Sequence, residues 1–560
     1  MPVALSLPAI ARAARPTPGR VPREPVQPLR KRKPGSEGDE EPAPMAVSAE
    51  ALINSATAAQ LSKHVAIIAD AQTATGPLFQ ALADLRKGLS TEFHPPIQEA
   101  ISVGAVQALV MRLRDSATQP AAMVETAWAL TNLATGTSAQ TAALLDAGAG
   151  DALLTALQHP AITDRSDLCD QLLWALGNIA GDSDVQPRDH LLKAGAVGSL
   201  GHLFSRMPHF SWNFAMRAQV LRTKTWLLSS LCRGSPAPPL EEVDCLFDYF
   251  IQVVAGSEDA RMLAEALWGL CYLVDGALSD DDAAARVDRI LGAGFGPGEL
   301  PTEHPVLVKV VQCIGRAGDC QNPLAIPALR LVGTMLRLHK PQLIDFATAA
   351  GVLPALRNVL LDGHAPEQVR RDTAWALSNI AAGTAAQAQL LMEEPRLWEA
   401  LCAGMEQASS KQIRKECAWA VANIAKRSYS ATIGRGPDPR QVLGLVARAL
   451  KQETFDAPLN RALLDASEVA LRYGDELARA SGLRENALAS HADDLGLLDE
   501  FEVLQRCDEA IVQRKAAYLI DAWFGPGVEN EMPETDEKTP SKKSEHGRSP
   551  MRSEARKFGA

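Results

Sequence analysis

Aromatic residues are scarce in this chain. Phe, Trp and Tyr together make up 5% of 560 residues, although 46% of the chain is apolar. That balance disfavours β-sandwiches and favours stacks of Ala/Leu-rich helices. No apolar run approaches the ~20 residues that a membrane-spanning helix needs. The nine cysteines form no Cys-x-x-Cys pair and no Cys/His cluster at zinc spacing, so they read as small buried helix residues in a reducing compartment. A Gly-rich phosphate loop and a nucleophile–base constellation are also missing, which leaves no support for an enzyme. No metal or cofactor is expected. Basic excess is absent too: 67 acids against 56 bases give a net charge of -11, which disfavours nucleic acid and favours a basic partner.

What the chain does have is a repeated motif. "WALTNLATG" begins at Trp128, "WALGNIAGD" at Trp174, "WALSNIAAG" at Trp375 and "WAVANIAKR" at Trp419. Weaker copies are "WLLSSLCRG" from Trp226 and "WGLCYLVDG" from Trp268. The spacings 128–174, 174–226 and 226–268 are 46, 52 and 42 residues, and 375–419 is 44. Between the Trp segments lie helix ends, Gly-containing turns and new apolar helices, as in "LLDAGAGDALLTAL" (144–157) and "LLKAGAVGSLGHLF" (191–204). A period of about 40–47 residues with two or three helices per unit predicts an all-α armadillo- or HEAT-type solenoid, a right-handed superhelix with a concave face. The 52-residue spacing predicts a loop insertion near "RMPHFSWNF" (206–214).

The expected organisation is a Pro-rich basic tail over 1–50, the repeat array over 51–524 and a polar tail over 525–560. Up to residue 36 the first tail carries eight bases against the single acid Glu24, with a signal-like run at Arg30, Lys31, Arg32 and Lys33. Its first 23 residues also suit an organellar transit peptide, being Arg-rich and acid-free. Ser/Thr-Pro steps in the second tail are potential phosphorylation sites.

On a helix, residues four apart share a face. Trp and Asn at that spacing, repeated in register, would make an indole ladder beside a row of carboxamides. Lys or Arg stems can lie between indoles, each contact contributing about 0.5–2 kcal/mol. The Asn amide can bond a peptide backbone without reading its side chains. An acid at a helix end, such as Asp182, would then select a lysine ammonium.

"ETAWALTNLATGTSAQT" (125–141), "QLLWALGNIAGDS" (171–183), "LCRGSPAPPLEEV" (231–243) and "RKGLSTEFHPPIQEAISVGAV" (86–106) resemble importin alpha, the armadillo-repeat adaptor that recognises nuclear localisation signals. The similarity runs collinearly from about residue 80 to 524. It implies a major signal site at Trp128, Asn132, Gly136, Thr141, Gln171, Trp174, Asn178, Asp182, Trp226 and Ser230. It implies a minor site at Arg330, Thr334, Asp372, Trp375, Ser378, Asn379, Glu416, Trp419 and Asn423. Trp268 and Tyr272 would support the segment between the two clusters of a bipartite signal, joined by about 10–12 residues. Ser230 and Thr334 stand where the family has Asn, and Arg330 stands where a Trp would continue the ladder. Implied partners are basic signals of cargo proteins, importin beta and a nuclear export factor for recycling, with residence in cytoplasm and nucleus. The family's long Arg-rich importin-beta-binding helix is reduced here to "LRKRKP" (29–34), interrupted by Pro. Arg30 to Lys33 are expected to fold back onto the major site as an autoinhibitory segment. The alternative is a divergent armadillo scaffold that binds other peptides without import activity.

Overall fold

The computed structural model describes residues 46–91, 94–292, 304–315, 323–338, 341–431, 436–452 and 455–525. Every regular element among them is a helix. Arg30 to Lys33 and both tails lie outside the described residues. The chain divides into two compact units, with the main boundary in sequence near residue 338.

In the first unit the repeat is a triplet. A short helix ends in a turn, a second helix follows, and a long third helix carries the Trp. Ser138–Asp146, Ala149–Ala156 and Ser166–Ala180 form one triplet; Gln186–Lys193, Ala196–Arg206 and Phe214–Cys232 form the next. The turn between the first two helices needs a left-handed residue, supplied by Gly148 (φ 79°) and Gly195 (φ 77°). The third helices stack in sequence order: Pro120–Leu133 packs on Ser166–Ala180, that on Phe214–Cys232, and that on Ala260–Asp275. Their apolar faces are closed by buried leucines such as Leu130, Leu173, Leu227 and Leu267. Each fully buried leucine contributes about 1.5–3 kcal/mol.

The extra length behind the 52-residue spacing does not lie in a loop at 206–214: the connection 207–213 is shorter than its counterpart 157–165, and Ala196–Arg206 and Phe214–Cys232 are longer than Ala149–Ala156 and Ser166–Ala180. Met207–His209 is a single 3₁₀ turn, and buried Trp212 donates its indole N–H to the Ile162 carbonyl at 3.0 Å. The Arg217 guanidinium donates to the carbonyls of Met207, Phe210 and Trp212, so this connection is pinned to the start of the helix that follows.

The second unit repeats the plan. Pro341–Ala349, Val352–Leu361 and Glu367–Ala381 form a triplet, followed by Ala385–Glu393, Leu397–Gln407 and Lys411–Ala431. The third helices again stack, with Glu367–Ala381 on Lys411–Ala431, that on Ala457–Ala480, and that on Ala510–Trp523. Cap chemistry repeats as well. Thr137 with Gln140 and Thr384 with Gln387 each form a capping box just after a Trp helix.

Candidate functional site

In the first unit the Trp row is built by stacking. Trp226 lies directly over Gly177: a Cβ added there would sit 2.1 Å from the indole, so only glycine admits the ring. Trp128, Trp226 and Trp268 are half-buried. Trp174 departs from the expected exposure, being only 4% exposed and enclosed among the stacked helices. Trp268 stacks on Tyr272 with centroids 5.7 Å apart and planes 17° from parallel, and burial pushes the Tyr272 phenol up.

The carboxamides hold the stack together. Asn178 donates to the Thr131 carbonyl at 3.0 Å, crossing to the residue that precedes Asn132 one rung earlier. In the second unit Asn423 makes the same bond to the carbonyl of Ser378, which precedes Asn379, at 3.3 Å. Asn132 donates to the Ser90 hydroxyl at 2.9 Å, and its Oδ1 is buried with no hydrogen-bond donor among the described residues. Ser230 is buried against Gly181, and its hydroxyl makes no such crossing.

Asp182 is 7% exposed. Its Oδ1 accepts from the Ser138 hydroxyl, from the Asp184 backbone N–H at 2.9 Å and from the Ser183 hydroxyl at 3.4 Å. The carboxylate closes the turn after the Trp174 helix and ties it to Ser138, at the start of the first helix of the same triplet. Gly136 has a cap explanation too, since a Cβ there would meet the Gln140 carboxamide at 2.2 Å. Thr141 is fully buried, with its hydroxyl directed to the Thr137 carbonyl at 3.2 Å. Gln171 is 8% exposed, and its Oε1 is buried with no donor among the described residues.

Arg330 and Thr334 converge on Asp275, at 3.2 and 3.5 Å, within the first unit. In the second unit Trp375 and Trp419 are half-buried on adjacent stacked helices. The Ser378 hydroxyl donates to the Trp375 carbonyl at 2.8 Å. Asp372 takes two bonds from Arg371, at 3.0 and 2.7 Å, and Glu416 is half-buried.

Sequence reasoning missed a second periodicity. The residue three before each Trp reads Glu125, Gln171, Thr223, Glu265, Asp372 and Glu416, acidic in four of six rungs. It also missed Arg86 and Ser90, one repeat before Trp128. Simple subtraction along the register would have found both. Among the described residues no His/Cys/Asp/Glu group could hold a metal ion.

Residues 340–382 match the family described as Armadillo/beta-catenin-like repeat. By fold the chain resembles an engineered protein (TM-score 0.63, 19% identical, covering 82% of this chain and 98% of that one). It also resembles a chain from a study of the cadherin–beta-catenin interaction (TM-score 0.59, 13% identical, 82% of each chain). The fold is that of an armadillo-repeat solenoid. In sequence the chain is 32% identical to importin subunit alpha-1b of Oryza sativa over 299 residues, 53% of this chain and 48% of that protein. It is 36% identical to importin subunit alpha-6 of Arabidopsis thaliana over 219 residues, 39% of this chain and 37% of that protein. Within the armadillo class, then, it is importin alpha-like. The chain spans about half, or less, of the length of these curated relatives.

Proposed function

We propose that the protein is a nuclear import adaptor that binds basic nuclear localisation signals along its Trp/Asn rows and shuttles between cytoplasm and nucleus. The observation that carries this reading is the register of the first unit, where Trp-bearing helices stack in order, with Glu125 and Glu265 one turn before the first and last of the four indoles. A lysine or arginine stem fits an indole face, and the neighbouring carboxylate offsets its charge. The Trp128–Ser230 set would take a monopartite signal, and the Trp375–Asn423 set the second cluster of a bipartite one. Importin beta and an export factor are proposed partners by likeness to importin alpha.

Asp182 is proposed as the lysine-selecting acid. A carboxylate can accept about four hydrogen bonds, so the turn donors and a cargo ammonium can share it. Asp182→Asn keeps an oxygen for Ser138 and the Asp184 N–H while removing the charge. Titration of a labelled basic peptide should show binding weakened about tenfold, equivalent to about 1.4 kcal/mol. Helical content by circular dichroism should stay at the wild-type level. Equal affinities with intact helicity would remove Asp182 from the site.

The alternative, an armadillo scaffold for other peptides, draws on Ser230 and Thr334, where the Asn row is interrupted in the first unit. A wild-type protein that fails to distinguish the basic peptide from its Lys→Ala form would favour it.

A further inference from the structure

The Trp row has a definite beginning. Arg86 stands 42 residues before Trp128, one period earlier, and Ser90 stands four further on. The pair therefore holds the Trp and Asn positions of the preceding rung. Ser90 behaves as a rung member, since Asn132 bonds its hydroxyl at 2.9 Å and that hydroxyl donates back to the Arg86 carbonyl at 2.7 Å. The Arg86 guanidinium carbon lies 4.4 Å from the Trp128 ring centroid, over its face. Glu125, one turn before Trp128 on the same helix, accepts from Arg86 Nε at 2.7 Å. Both side chains are mostly shielded, at 14% and 13% exposure. This is the arrangement proposed above for a cargo cation, an indole face with a carboxylate beside it. Here it is already filled from within the chain.

We propose that Arg86 is a specificity-determining residue that occupies the outermost cation slot of the signal site and fixes where a bound basic cluster must begin. The inference rests on the signal-binding reading. With Arg86 on the near face of Trp128, a peptide can use only the face turned toward the Trp174 helix. One further lysine at that end of the peptide meets a guanidinium and finds no open ring. A partial precedent sits at the other end of the unit, where Arg330 also stands in a Trp position and also pairs with an acid, Asp275.

The test uses the full chain and three labelled peptides: a short basic cluster and the same cluster lengthened by one lysine at either end. Wild type should bind the parent and the peptide lengthened toward Arg86 within about twofold of each other. Arg86→Met with Glu125→Gln empties the slot without leaving a buried carboxylate unpaired. It should bind that lengthened peptide about fivefold more tightly than the parent. Adding Trp128→Ala should abolish the gain. Arg86→Lys retains the cation and should behave as wild type, which guards against a fold defect in the double variant. If neither lengthened peptide changes its ratio to the parent between wild type and the double variant, the inference is overturned while the signal site stands. If wild type binds no basic peptide, and Asp182→Asn accordingly changes nothing, the signal-binding reading falls and the inference with it.

Discussion

Arg396 is the residue at which the second unit breaks its own rule. Gly351 and Gly496 occupy the left-handed turn before a second helix, at φ 89° and 68°, but the corresponding position after Ala385–Glu393 is Arg396 at φ 62°. A side chain in that region costs about 1–2 kcal/mol, part of which glycine gives back through its greater freedom in the unfolded chain. Arg396 is exposed, so nothing is lost by trimming it. Arg396→Gly should leave stability unchanged or raise it by up to about 1 kcal/mol, read from urea midpoints. A lower midpoint would mean that the arginine makes a contact that outweighs the strain. At this scale the sequence was informative where one residue repeats and misleading where two roles share one residue. Trp174 and Asp182 carry the motif's signature, but pattern alone does not reveal that neighbouring helices enclose the first and that Ser138 bonds the second. Burial depends on residues some 40 positions away.

Between helices, the least expected contact is a cation without a carboxylate. Lys224, on the Trp226 helix, is 4% exposed and lies 4.2 Å from the Phe204 ring and 4.1 Å from the Tyr249 ring. Burial pulls its pKa from 10.5 down to about 7. The sign follows from linkage. Between pH about 7 and 10.5 the unfolded chain holds a proton that the folded chain has released, so stability rises with pH across that window. Below it both states are protonated and the full cost of burying the charge remains. Lys224→Met keeps the stem and removes the titration. It should raise the urea midpoint at pH 7 and flatten the rise toward pH 10. Parallel curves for the two proteins would show that the ammonium reaches water. The triplets and turn glycines were legible from the spacing of Trp and Gly, but the extra length before Trp226 was misplaced, because spacing alone does not tell a longer loop from longer helices. This aromatic slot was not legible, because Phe204 and Tyr249 belong to different helices with no common register.

Across the whole molecule, the basic run Arg30–Lys33 is matched by the acids of the Trp rows, Glu125, Glu265, Asp372 and Glu416. If that run competes with cargo, deleting residues 1–45 should tighten binding of a basic peptide and make it less sensitive to peptide length. An unchanged dissociation constant would leave the tail without an inhibitory role. The Asn crossings have a separate consequence, which concerns force. Each crossing is a rivet between consecutive triplets, and a solenoid pulled along its stack carries the load through such links one interface at a time. Asn178 rivets the Trp174 triplet to its predecessor at the Asn row, while Ser230 makes no crossing there, and the next interface is held instead toward the start of the long helices, where Thr223 and Gln219 donate to Asp170 and Trp212 to the Ile162 carbonyl. In the first unit, then, the rivets pass from one end of the Trp helices to the other between consecutive interfaces. Under tension the rungs around Ser230 would gape at the Asn row while Asp170 keeps the interface fastened, so the array would flex within the proposed cargo site before it parts.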